Sequence, residues 1–126
     1  MSALADLVRS AHGCIYAYGV IAAYLPDQDL ALDAMAAHRR MRDALADECR
    51  RLGQDIPAAA PAYPVNVRDA TTARAVAADL ENAVCAQWAS ALATLDESFA
   101  TRSAEFAVQC AVRGYLWSGV SVAFPA

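Results

Sequence analysis

The sequence predicts an all-α protein, a bundle of four helices with one long crossover between the second and the third. Three observations predict it. Alanine, the best helix former, is by far the commonest residue, and β-branched clusters are few. Gly and Pro gather at three places: Leu25-Pro26-Asp27, residues 53–64, and residues 114–125. The segments between these places are long enough for helices, and apolar residues recur in them every three to four positions.

The first helix is expected over residues 2–24, with Leu4, Leu7, Val8, Ala11, Cys14, Ile15, Tyr18, Ile21 and Ala22 recurring on one face. Pro26 stops it, and Asp27 or Asp29 is placed to cap the next helix. The second is expected over residues 29–52, with an inward stripe of Met35, His38, Arg42, Leu45, Cys49 and Leu52. Gly53 follows as a left-handed cap, and Arg50 and Arg51 complement the negative helix end. Residues 54–68 carry Pro57, Pro61 and Pro64, so this connection is extended and semi-rigid rather than helical. Asp69, Thr71 or Thr72 caps a third helix over residues 71–95, with Ala73, Val76, Ala77, Leu80, Val84, Trp88, Leu92 and Leu95 inward. Asp96 or Ser98 opens a fourth over residues 97–118, whose apolar side is Phe99, Phe106, Cys110, Val112 and Trp117. Two helices, a long connection and two more helices give the ferritin-like order rather than the simple up-down-up-down one. The single domain spans residues 1–126.

Composition narrows the function classes. The chain has 126 residues, 58% of them apolar, and a net charge of −4. All ten positive charges are Arg, and the acidic balance excludes a nucleic-acid footprint. The longest uncharged run, residues 10–26, is short for a membrane span and contains His12, Gly13 and Gly19. The opening MSALADLVRS lacks the basic start and apolar run of a secretory signal, so the expected location is cytoplasmic, with cysteines as thiols.

A ferritin-like di-metal site needs one Glu from each of two helices and a Glu-x-x-His pair from each of the others. Residues three apart share a helix face, so carboxylate and imidazole converge on one ion. This chain departs from that set. Met35 stands three before His38, Val108 stands three after Glu105, and the first helix has His12 but no Glu. No cofactor is therefore expected; the alternative is a single divalent ion on His38, Glu81 and Glu105. The plainer role of Glu81 is an interior carboxylate paired with Arg42 or His38. His38 reads equally as a satisfied core histidine, and Glu105 as a solvated rim residue.

The four cysteines fall one per helix, at Cys14, Cys49, Cys85 and Cys110, without a CxxC pair. Core filling is the plainer reading, and a soft-metal site at Cys14, Cys85 and Cys110 is the alternative. Tyr16 and Tyr18 cannot share a face; Tyr18 follows the core stripe. No GxGxxG, P-loop or GxSxG occurs, and Ser103 and Cys110 carry no sequence mark of activation.

Four segments, IYAYGVIAA, AAHRRMRDAL, DLENAVCAQW and the closing AFP, together resemble the bacterial ferritin-like family called domain of unknown function 4439. The resemblance covers nearly the whole chain and implies a ferritin-like bundle without an established activity. By it, His38, Arg39, Arg42 and Asp43 match an HRxxRD-like stretch, Glu81 an LEN-like motif, and Glu105 a helix-four Glu. Where the family commonly has Glu before the helix-one His, this chain has Ala11 before His12.

The reading that joins these observations is a small intracellular binding or interaction module with a degenerate metal site. Its alternative is an enzyme or metalloprotein in which Glu81 or Glu105 acts as general base beside His38. Arg42 and Arg39, with Tyr18 and His12, would then hold the ligand. The chain carries more apolar residues than one small core needs. Tyr16, Tyr24 and residues 120–125 therefore point to a homodimer, with the proline-rich crossover along its seam.

Overall fold

The computed structural model describes residues 2–118. Ser2 opens the first helix, α1 (Ala3–Ala23), by accepting a hydrogen bond from the Ala5 amide at 3.1 Å. It thereby satisfies one of the amides that a helix start leaves without a partner. The second helix, α2 (Asp29–Arg51), begins after Pro26 as expected. Its N-cap position is Gln28, whose side chain donates back to the Ala22 carbonyl at 2.9 Å, while Asp27 accepts from the Asp29 amide at 3.0 Å. Gly53 ends α2 with φ 68°. The Gly53 amide reaches the Arg50 carbonyl and the Gln54 amide reaches the Cys49 carbonyl, the paired bonds of a Schellman motif.

The third helix, α3 (Ala70–Ala91), starts from a reciprocal capping box between Asp69 and Thr72. It ends at Ala91 rather than continuing to Leu95. The Ala91 carbonyl accepts from the Thr94 amide and hydroxyl as well as from the Leu95 amide, which tightens the last turn and closes the helix. The fourth helix, α4 (Glu97–Ser118), is opened by Asp96, which accepts from the Ser98 amide at 3.0 Å. The same carboxylate accepts from Arg51 at 2.8 Å, tying the end of α2 to the α3–α4 turn.

Two buried clusters fix the topology. One joins the start of α1, the end of α2, the end of α3 and the start of α4, through Leu4, Cys49, Trp88 and Phe99 among others. The other joins the opposite ends, through Ile21, Ala31, Ala73 and Trp117. The helices therefore run up, down, down, up, with α2 and α3 parallel, and this direction is what the long crossover makes possible. Helix α1 packs on α2 and α3, and α3 packs on α4, whereas the backbones of α2 and α4 approach at few points. Alanines at 31, 34, 37, 44 and 46 are buried on α2 and let its neighbours come close. Among the described residues there is no strand, and no helix is long and apolar enough to cross a membrane.

Several positions expected inside lie outside. Leu52 and Val112 are exposed, because each follows the stripe past the arc that other helices cover. Tyr16 has a neighbour within the chain: its ring meets that of Tyr63 at 5.7 Å. The crossover, residues 54–68, lies against its own bundle, with Val65 and Val67 packed on the core and the Pro57 carbonyl held by His12. Residues 119–126, which include the apolar tail, lie outside the described residues.

A side chain at position 53 would have to adopt the left-handed conformation. We expect Gly53→Ala to lower stability by about 1–2 kcal/mol in urea unfolding, with far-ultraviolet circular dichroism remaining helical.

Candidate functional site

The centre of the bundle holds a polar cluster to which all four helices contribute. Helix α3 supplies Glu81, which has no exposed surface. Its Oε2 accepts hydrogen bonds from the Tyr18 hydroxyl of α1 and, at 2.9 Å, from Nε2 of His38 on α2. Its Oε1 accepts from Nε of Arg113 on α4 at 3.1 Å. One turn further along α4, Trp117 Nε1 donates to the Tyr18 oxygen at 3.0 Å. The Tyr18 ring stacks on both His38 and Trp117, with centroids 5.7 and 6.1 Å away. His38 Nδ1 and the Asn82 carbonyl oxygen are buried without partners. The Asn82 oxygen sits 2.5 Å from where a Cβ on Gly114 would lie, so glycine is what admits this close approach of α3 and α4.

The charges are matched locally. Burial alone would push the Glu81 carboxyl up, but His38, then Arg113 and the Tyr18 hydroxyl, outweigh it and hold the group below its ordinary 4.5. Burial would draw the Arg113 guanidinium down; the Glu81 charge more than offsets this and keeps it charged. The Tyr18 phenol is driven far above its ordinary range by burial and then by the Glu81 charge, so it stays protonated and remains a donor. Cys14 is pushed up to about 12, by burial first and Glu81 second. Cys110 rises for the same reasons, and its sulfur accepts from Arg113 at 3.3 Å. These thiols are protonated and lack the nucleophilic form.

Of the residues singled out from sequence, His38, Glu81 and Tyr18 meet in this cluster, and the others do not. Arg42 was expected to pair with Glu81. Instead it stands a third exposed at the bundle edge and pairs with Asp43 at 3.1 Å. Arg39 points into solvent. His12 is half-buried away from the cluster and donates to the Pro57 carbonyl at 3.0 Å. Glu105 is exposed on the outer face of α4, one position before the buried Phe106 and so turned about 100° away from it. The residues that complete the cluster are Arg113 and Trp117. Arg113 lies three after Cys110 and four before Trp117, on the face already read as inward, and that spacing was the signal for it.

The donor set does not fit a metal. Both Glu81 oxygens and His38 Nε2 are engaged with one another or with Tyr18 and Arg113, and the guanidinium sits where a second cation would be repelled. Among the described residues, no three His, Cys, Asp or Glu side chains gather closely enough to hold an ion, the cysteines included. The arrangement ties the four helices together through one carboxylate.

Two expectations follow. Arg113→Met leaves the Glu81 charge buried without its counter-ion and should cost about 3–5 kcal/mol. The double variant Glu81→Gln, Arg113→Met should recover part of that loss in chemical unfolding, because no charge is then buried alone. The second expectation concerns acid. Folding lowers the Glu81 pKa, so its contribution is fully present above the unfolded value of 4.5 and is lost as pH falls through the lower folded value. A stability profile from pH 6 to 2.5 should show the wild type weakening below about 4.5, and Glu81→Gln should flatten that part of the curve.

The comparisons accord with this architecture. A crystal structure of a conserved hypothetical protein from Mycobacterium tuberculosis superposes with a TM-score of 0.88 at 27% identity, covering 93% of this chain and 92% of that one. No curated protein matches the chain. The family described as domain of unknown function (DUF4439) matches residues 3–126, essentially the whole described bundle and the tail beyond it, and the chain belongs to that family.

Proposed function

We propose that the protein is a non-catalytic helical binding module, in which a buried ion pair stands where a ferritin-like bundle would place its metals. The observation that supports it most directly is the state of Glu81: fully buried, both oxygens engaged, with a guanidinium rather than an open coordination position beside it. A general base needs a path to a substrate proton. Glu81 has none, and Glu105, the other carboxylate considered for that role, stands on a different face of the bundle. Protein purified without chelator should carry iron, manganese and zinc well below one per chain. One tightly held ion that disappears in both His38→Ala and Glu81→Gln would overturn the reading.

The module is further proposed to act as a homodimer. Support comes from α4, where Val108, Val112, Tyr115 and Leu116 are each about half exposed, at 48%, 52%, 48% and 54%. Their spacing of four, three and one places them on one stripe, and the stripe's exposed charge is Glu105. A second α4 laid antiparallel against this stripe meets the same residues, as an isologous contact requires. The cytoplasm is the compartment in which four free buried thiols are least at risk of oxidation. Sedimentation at micromolar concentration should give about twice the chain mass, and Val112→Glu should return it to one. A monomeric wild type would end the dimer proposal.

A further inference from the structure

The crossover is an unusual object in so small a domain. A connection of about fifteen residues without regular structure is uncommon in a compact fold and usually has a task of its own. This one is held, not loose. His12 grips the Pro57 carbonyl at 3.0 Å, the Tyr63 hydroxyl accepts from the Ala60 amide at 2.9 Å, and the Tyr63 ring lies on Tyr16. Between these points the chain bridges the groove between α1 and α3 and leaves a hollow of about 280 Å³ beneath it.

The walls of the hollow are small or apolar. Gly13 and Ala17 of α1 and Leu80 and Val84 of α3 line it from the helices, and Tyr63 and Val65 line it from the crossover. At one end, the Ser10 hydroxyl donates to the Gln87 carboxamide oxygen at 2.6 Å. Gly13 is the informative residue. Glycine inside a helix costs about 1 kcal/mol relative to alanine. A Cβ there would meet Tyr63 Cδ1 at 3.8 Å, an ordinary contact, and the backbone does not need a positive φ. Neither packing nor conformation demands glycine at this point of the wall.

We propose that this hollow binds a small, flat, mostly apolar molecule of one or two rings, bearing one hydrogen-bonding group that engages Ser10 and Gln87. The volume sets the size: about 150 Å³ suffices for benzene, and drug-sized ligands need about 300 Å³ or more. The lining sets the chemistry, since apolar walls supply affinity and the single polar pair orients the ligand. Cys14 forms part of the wall as a protonated thiol, so the contact is non-covalent. The proposal names the ligand class for the binding module inferred above and rests on that reading only in taking the protein to act by holding something.

Indole is a suitable probe, being flat, bicyclic and equipped with one N–H. In a titration followed by amide NMR, wild-type protein should show saturable shifts confined to residues 10–17, 63–65 and 80–87. Gly13→Leu fills the hollow while removing a helix glycine; it should keep or raise Tm and weaken indole binding at least about tenfold. Ala83→Leu, at an exposed position on the opposite wall, should do the same and serves if the first variant folds poorly. No saturable shift in the wild type, shifts centred elsewhere, or undiminished binding in a folded Leu variant would overturn the proposal. A metal found at Glu81 would sink the non-catalytic reading instead, and the indole titration would be unaffected by it.

Discussion

A carboxylate with no solvent around it, in the middle of an alanine-rich bundle, has to be matched on the spot. Glu81 is matched by one donor from each of the other three helices: Tyr18, His38 and Arg113. Trp117 then fixes the tyrosine that does part of the matching. Alanine seams allow helices to slide, because small side chains interlock weakly. The cluster opposes that freedom, since a slip of α3 by one turn, about 5.4 Å, would break every bond to Glu81, and a slip of any other helix would break that helix's own bond to it. The ion pair is thus better understood as a register lock than as a source of net stability.

This arrangement bears on what the interior can do. In a metal-binding bundle, carboxylates and imidazoles converge with their lone pairs free. Here the same residue types converge, but a guanidinium supplies the positive charge and the phenol supplies a proton. With burial raising the Cys14 and Cys110 thiols, the centre holds acids that keep their protons and a carboxylate whose two oxygens are both engaged, while His38 Nδ1 stays buried without a partner. The crossover hollow and the exposed stripe of α4 lie outside this centre.

Much of this was legible from the chain. Pro26, Gly53 and Asp69 marked helix limits, because local conformational preferences act there almost alone, whereas the end of α3 at Ala91 carried no such mark. Tyr18 and His38 were legible because their stripes are continuous, and Glu81 because it flanks one. Arg42 misled because it also continues a stripe; its long side chain reaches out from the edge of the buried arc to Asp43. Arg113 was overlooked because an arginine amid apolar residues reads as surface until the carboxylate it neutralises is known. Glu105 and Val112 show the converse limit. Periodicity gives the direction of a face but not how wide an arc the neighbouring helices cover.

The chain order of the cluster has a consequence for how the molecule assembles. Helices α1 and α2 form one hairpin and α3 and α4 another, each closed by a short turn, so each has mostly local contacts and low loop-closure cost. The ion pair, Glu81 with Arg113, lies wholly within the second hairpin. The first hairpin contributes only a phenol and an imidazole to it. Were the two hairpins to form before they dock, the negative charge entering the core would already have its counter-ion, and the step with the longest loop to close would be spared the burial of a lone charge.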